Sequence, residues 1–447
     1  MGKVKIPSRA FLALLIFLAA LAIYVKSQVT SRGDTLWSLY VAASILKVGN
    51  TDLDEYAHLM SPDDYRLERV GSHIYSRFPI GTPFIAVPFV AIVENLFPLF
   101  EQASFSAYLS QHAPDQAIFE VEKVIASIVV AANAVLIFAI ALRFLSPPRA
   151  VILALIFAFA TSAWSTASRG LWQHGLSMLA LSIALYLIVL SSDEPWLAQF
   201  AAIPLAFAYV IRPTNSISVL VFSIYILLVA RRYFVKYTLW LLLLILPFLL
   251  YNYAVYGAAL PPYYLPERLG NNPSLLEALV GNLVSPSRGL LVFSPVLALS
   301  IVGMALRLKR ADWRTVDAYL VVILILHWIS ISTFRHWYGG WSIGPRFFTD
   351  MLPFFAYFLI PVVDRLPSLT QRWDVKPFVF WPLLAASIFI HFRCATDLAP
   401  DAWNSVPNNI DDNRYRLWDW SDIQFLRGLC PEPLYQAPKC WLEIAPD

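Results

Sequence analysis

The chain has 447 residues, 58% of them hydrophobic and 14% charged, with a formal net charge of +3. Soluble domains carry about 25% charged residues, so a water-soluble globular protein is excluded. With no Lys/Arg tract and no zinc-type Cys/His spacing, nucleic acid is excluded as a partner. Apolar runs of about 18 residues or more recur along the chain, and predict an all-α, polytopic membrane protein.

The first element is "MGKVKIPSRAFLALLIFLAALAIYVKSQ", in which Lys3, Lys5 and Arg9 precede an apolar run from about Ala10 to Val25. No small-residue cleavage site follows it, which predicts a retained first helix rather than a removed signal peptide. A long loop, about residues 27 to 118, comes next. It opens on "SRGDTLWSLYVAASILKVGNTDLDEY", where Asp34 stands just past the first span and "LWSLYVAASIL" reads as an amphipathic helix lying on the membrane. Asp52, Asp54 and Glu55 follow. Asp is a preferred helix N-cap, and that is the plain reading of Asp34. Its place at the membrane surface also suits a general base.

The run Phe78 to Phe100 is apolar enough to span, but it holds four prolines and Glu94. Proline removes a backbone donor, and lipid cannot replace the lost bond. A crossing here would also invert every later loop. An interfacial or re-entrant segment inside the outer loop is therefore expected. Counting the first helix, candidate spans begin near residues 10, 120, 150, 172, 196, 215, 237, 290, 316, 347 and 377, about 11 in all.

Positive residues set the orientation. Arg143 and Arg149, then Arg231, Arg232 and Lys236, then Arg307, Lys309, Arg310 and Arg314, then Arg365, Arg372 and Lys376 alternate with the basic N-terminus. All belong on the cytoplasmic side, so the N-terminus lies inside and the C-terminus outside. The opposite loops, "TASRGLWQHG", "IRPTNS", "YNYAVYGAALPPYY", "SPSRGLLVFSP" and "FRHWYGGWSIGPR", carry single Arg residues among Gly, Pro and aromatics.

These outer loops hold Arg169 and His174, Arg212, Arg288, and Arg346 with His336. Taken singly, each is explained by a satisfied helix end, and Trp and Arg are normal at membrane interfaces. Their convergence on one face argues for a functional cavity. Arg offers a planar, bidentate donor to phosphate oxygens, and a helix N-terminus suits an anion. An anionic lipid headgroup is the expected ligand. Trp172, Trp337, Tyr338 and Trp341 could stack on a sugar or belong to the aromatic belt. His327 reads as a packing histidine. The tail, residues 395–447, is too polar to span. It is expected to pack on the outer face, with a Cys430–Cys440 bridge if the compartment is oxidising.

In this layout the chain resembles the GT-C class of membrane glycosyltransferases, which includes protein O-mannosyltransferases, aminoarabinose transferases and arabinosyltransferases. "WYGGWSIGPR", "SRGLWQHG" and "SPSRGLLVFSP" look like signatures of one bacterial branch. The resemblance implies a catalytic domain over residues 1–394 and a polyprenyl-phosphate-linked sugar as donor. It implies a cell-envelope glycan, lipid or protein as acceptor, reached from the outer face of the cytoplasmic membrane. The reaction would be inverting, with an outer-loop acid as base and loop arginines on the departing phosphate. Many members carry an acidic pair at the loop start. Here Asp34 is followed by Thr35, and the pair Asp54–Glu55 comes later, so Asp34 and that pair both stand as candidates. No nucleotide motif is present. The outer-loop carboxylates could hold a metal, but no cofactor is expected.

A transporter or flippase of a lipid-linked anion would also need an Arg-lined cavity. It would place polar groups at the midplane of broken helices and show inverted repeats, whereas most spans here are apolar at their centres. A structural subunit would not need an acid facing an arginine cluster.

Overall fold

The computed structural model describes residues 8–31, 33–101, 103–269, 271–309, 312, 314–366 and 376–429. Cys430, Cys440, Arg310 and Arg372 lie outside the described residues. The elements are α1 (Arg9–Lys26), α2 (Ser38–Lys47), a ribbon of β1 (Leu67–Val70) and β2 (His73–Ser76), α3 (Gly81–Leu96), α4 (Phe105–Gln111) and α5 (Gln116–Ala141). Next come α6 (Pro147–Phe159), α7 (Gln173–Leu190), α8 (Ala202–Ile211), α9 (Ser216–Val229) and α10 (Phe234–Tyr256). Two short helices, α11 (Pro266–Leu269) and α12 (Leu275–Val284), precede α13 (Leu290–Phe293) and α14 (Ala298–Leu308). The last are α15 (Val316–Ser332), α16 (Leu352–Asp364), α17 (Lys376–Thr396) and α18 (Ala399–Ala402).

Helices stand at all eleven positions where hydropathy places a span. Local chemistry sets their ends. Ser8 caps α1 by accepting from the Phe11 amide at 3.2 Å, and Asp115 caps α5 through the Ile118 amide at 3.1 Å. Such side chains satisfy amides that the first turn leaves open. Among the described residues, seven helices are long and apolar enough to cross a membrane, and six of these are expected spans. The other five expected spans are shorter apolar helices, among them Pro195–Ile211, Pro213–Val229 and Val316–Ser332. At 1.5 Å per residue, a 17-residue helix reaches about 25 Å.

The seventh long helix is Gly81–Leu99, the proline-rich run. It stays helical through Pro88. Both of its ends are tied to one end of the bundle. Gly81 lies against the backbone of Val210 and Ile211, where a Cβ would come within 2.6 Å of the Val210 carbonyl oxygen. Glu94 pairs with Lys47 of α2 at 2.8 Å and accepts from Ser106. This helix packs with α2 and α4 around Trp37, Tyr40, Val90 and Phe105.

The ribbon β1–β2 departs from the all-α expectation. It pairs Leu67 with Ser76, and its turn uses Gly71 at φ +62°, a conformation glycine adopts without strain. One large core spans the bundle, from Ile16 and Ala20 of α1 to Phe354 and Phe358 of α16. Gly303 of α14 lets that helix touch α16, because a Cβ there would overlap the Phe358 carbonyl.

The two ends differ in chemistry. One has surface ion pairs, Arg149–Asp364 at 2.9 Å and Arg143–Asp193, and an Arg307–Asp317–Tyr357 contact. The other collects the first loop, the loops after α6, α8 and α15, and the tail. Residues 399–429 pack there: Trp403, Ile410 and Leu417 form a small core with Ala278, Trp337 and Tyr338.

Candidate active site at the loop-rich end

Asp34 lies in a turn just ahead of α2, but Trp37 occupies the N-cap position and no side chain caps that helix. The plain reading of Asp34 as a cap therefore gives way. Its carboxylate instead accepts from Arg346 at 2.8 Å and from the Tyr65 hydroxyl at 3.0 Å. Arg346 begins the short turn Arg346–Met351 that leads into α16. Its guanidinium stacks over Trp172 at 4.0 Å, and its Nε is buried with no partner. Before it, Gly344 sits at φ +59° with Phe293 so close that a Cβ would come within 2.6 Å of the ring. The loop "GGWSIGPR" needs glycine there for both reasons.

Behind this pair is a second, fully buried ionic group. Asp350, one turn past Arg346, accepts from His174 Nδ1 at 2.6 Å and from Arg212. Arg212 also lies over Phe347 at 5.5 Å. Removing charges from water is costly unless each is paired and hydrogen-bonded, and Asp350 supplies the counter-charge for Arg212 and an acceptor for His174. Asp350 and Glu122 are the site residues that the motifs did not assign. Glu122 of α5 accepts from Thr35 Oγ1 at 2.7 Å and from the Leu171 amide at 3.4 Å. It therefore joins the neighbour of Asp34 to the neighbour of Trp172. A carboxylate in an apolar span is itself a signal, and it was available in the sequence.

Two connected compartments adjoin the Asp34–Arg346 pair. A narrow one, about 50 Å³, is lined by His174, Arg212, Leu171, Phe78 and Tyr264. A wide one, about 750 Å³, is lined by Tyr65, Tyr263, His336, Trp341, Asn409 and Asp411. Asp34, Trp172, Tyr263, Phe334, Arg346 and Phe347 belong to both. Burial, together with Arg414, holds His336 below the usual imidazole range, which favours its neutral form.

The structure thus brings together Asp34, Arg346, Trp172, His174 and Arg212, with His336 and Trp341 on the wide wall. Other sequence candidates lie elsewhere. Arg169 donates to the carbonyls of Tyr24, Ser27, Val29 and Trp164, closing the end of α1. Arg288 donates to the carbonyls of Ser287, Tyr338 and Gly340 and to Gln424 and Asn404, tying loop to tail. Trp337 is buried under α12, and Tyr338 donates to Asp411. His327 pairs with the Phe347 carbonyl at 2.9 Å. Asp54 accepts from His73 at 2.6 Å and from the Ile74 amide, and Glu55 accepts from Ser44. Asp54 thereby raises His73 above the usual imidazole range. Asp52, Asp54 and His73 hold their ligand atoms within 4.8 Å of one another, on the ribbon side of the loop.

Seven of the described helices are long and apolar enough to cross a membrane, and the first loop sets Asp34 against Arg346 from a later loop. No family model and no curated protein sequence matches the chain. Among solved structures, it is similar to ArnT from Cupriavidus metallidurans bound to undecaprenyl phosphate. The TM-score is 0.51 at 12% identity, covering 89% of this chain and 64% of that one. The chain therefore spans less than two thirds of ArnT's length, and the likeness is one of fold.

Proposed function

We propose that this protein transfers a sugar from a polyprenyl-phosphate donor to a hydroxyl acceptor at the outer face of the cytoplasmic membrane. The observation that carries this reading is the Asp34–Arg346 pair on the wall of a 750 Å³ cavity. Arg346 holds Asp34 through one Nη while its Nε is buried without a partner. Undecaprenyl phosphate in the fold's solved relative supports a lipid phosphate as the anion.

In this reading the donor phosphate takes Arg346 through its free nitrogen, which loosens Asp34. The acceptor oxygen attacks the anomeric carbon. The bond from that carbon to the phosphate oxygen breaks, and its electron pair leaves with the polyprenyl phosphate. The acceptor's proton passes to Asp34. Arg346, with Arg212 behind it, stabilises the charge gathering on the leaving phosphate. A single attack with one base inverts the anomeric centre. His174, in contact with both Arg212 and Asp350, holds the arginine in place. Arg169 and Arg288 would act only through the loops they brace.

A release assay with purified protein and a panel of polyprenyl-phosphate sugars tests the reaction. Arg346→Ala is expected to raise the donor KM and lower kcat, while Arg346→Lys restores only part, because a point charge cannot reproduce the planar contact. Unchanged turnover in Arg346→Ala would remove it from the site. No metal is needed in this scheme, so EDTA should leave turnover intact. Loss on chelation, restored by one divalent ion, would bring Asp52, Asp54 and His73 into the mechanism.

The orientation is tested by labelling. In a background without native cysteines, Asn408→Cys is expected to react with an impermeant external reagent and Lys309→Cys to be shielded. Both positions are exposed. The reverse pattern would move the whole site to the cytoplasm.

A further inference from the structure

We propose that the tail completes a carbohydrate subsite in the wide compartment, in which Trp341, Asn409, Asp411 and His336 hold a hydroxyl-rich sugar ring beside Asp34. This deepens the reading above by naming the ligand class of the chamber, and it rests on that reading for the position of the reacting centre.

Trp341 is half-exposed, with 52% of its surface open. A belt tryptophan lies among lipids with its indole N–H toward water. Trp341 instead donates that N–H to Asn409 Oδ1 at 2.9 Å and lines the chamber. Asn409 is itself held, since the same oxygen accepts the Asp411 amide at 3.0 Å and its carbonyl accepts from Asn413 at 3.0 Å. The ring is therefore a fixed platform, set by the tail.

Beside it runs a short hydrogen-bond chain. His336 Nδ1 meets the Tyr338 hydroxyl at 2.9 Å, and that hydroxyl donates to Asp411 Oδ1 at 2.9 Å. A carboxylate accepts through two oxygens. Asp411 lines the chamber with only Oδ1 engaged by Tyr338, which leaves Oδ2 to accept from a ligand hydroxyl.

The lining also says what the ligand is not. Two carboxylates, Asp34 and Asp411, face the chamber against one guanidinium, Arg346, which is already paired with Asp34. Arg414, over the Tyr338 ring beside Asp411, offsets the second carboxylate, so the chamber holds no spare cation for a second anion. An apolar ligand would cover Asp411 Oδ2 without offering it a donor. A sugar ring fits both demands, because it has a C–H face for Trp341 and hydroxyls around its rim for the polar groups. The volume, about 750 Å³, falls in the range of about 300–1,000 Å³ typical of small-ligand sites.

The ring could belong to the donor or to the acceptor, and the experiment separates the two. Full-length protein in nanodiscs is titrated with undecaprenyl phosphate, with its glucose, mannose and arabinose conjugates, and with the methyl glycosides of the same sugars. Wild type is expected to favour at least one conjugate over the bare lipid, or to give saturation transfer to at least one methyl glycoside. Trp341→Ala and Asp411→Ala are expected to weaken that binding by about three- to tenfold, the scale of one aromatic contact. Affinity for bare undecaprenyl phosphate should not change. Loss confined to the conjugates places the donor sugar in the subsite, and loss confined to the methyl glycosides places the acceptor there. Trp341→Phe keeps the platform without the N–H and is expected to retain most binding, which separates lost stacking from a misfolded loop. Wild-type sugar binding in both alanine variants, or no sugar binding by wild type in either form, overturns the subsite. Failure of wild type to bind undecaprenyl phosphate, with methyl glycosides still bound through Trp341, would instead remove the lipid-phosphate donor and leave the subsite standing.

Discussion

Asp34→Asn is expected to leave the protein folded and able to bind the lipid phosphate, and to lower sugar transfer by about 10² to 10⁴. Asn is nearly the same shape, and its carbonyl oxygen can still accept from the Tyr65 hydroxyl. It cannot take a proton from an acceptor hydroxyl. The pair is mostly out of water, with Arg346 8% and Asp34 19% exposed, so losing the charge is expected to lower the melting temperature somewhat, less than a full truncation would because Asn still accepts from Tyr65. The decisive comparison is single-turnover transfer against lipid binding in the same preparation. Asp54→Asn and Glu55→Gln are expected to transfer at near wild-type rates, because their oxygens are engaged by His73, Ile74 and Ser44, and neither lines the cavity. Wild-type transfer in Asp34→Asn with loss in either of the others would move the catalytic role to the later pair.

The second large effect is on stability. Asp350→Ala strips the anion from Arg212 and His174, whose side chains are 3% and 4% exposed. An arginine left buried without its partner destabilises by about 3–5 kcal/mol. The expected outcome is a marked fall in melting temperature in detergent and loss of monodisperse protein. Asp350→Asn keeps hydrogen-bond acceptance without the charge and is expected to fall between the two. Replacing the pair together, Arg212→Met with Asp350→Leu, removes both charges and is expected to recover much of the stability. It would not recover transfer, since Arg212 backs the phosphate site. A wild-type melting curve for Asp350→Ala would show that Arg212 finds its counter-charge elsewhere.

These two carboxylates differ in how readable they were. Asp34 stood out because it follows the first span directly, and position along the chain is enough to place it at the membrane surface. Asp350 lay inside a run of aromatic and small residues at a helix start. Nothing in the spacing of "RFFTDMLPFF" tells that its carboxylate turns inward to residues 138 and 176 positions away. Arg169, Arg212, Arg288 and Arg346 share the same local signature of an arginine beside Gly or Pro at a helix end. Their surroundings separate them. Arg169 closes the carbonyls of α1, Arg288 ties the loop to the tail, Arg212 is neutralised inside, and Arg346 alone pairs with Asp34.

By itself the sequence determined that the chain is a helical membrane protein, where its helices fall, and that one face concentrates acid, arginine and aromatic groups. These follow from local quantities: the length of an apolar run, the alternation of basic loops, and the residues that cap or turn a helix. Hydropathy was less decisive for residues 81–99. Length and composition permit a crossing; the prolines and the alternation of basic loops argue against one, and the contacts at both ends of that helix tie it to the loop-rich end. Tertiary structure alone decided which acid meets which arginine, which groups Asp350 and Glu122 touch, and that the tail forms a cavity wall. The reason is that pairing across hundreds of residues depends on the relative rotation and depth of packed helices. Apolar helices in lipid can satisfy the same hydropathy in many rotations, and only close packing at points such as Gly81 and Gly303 selects one.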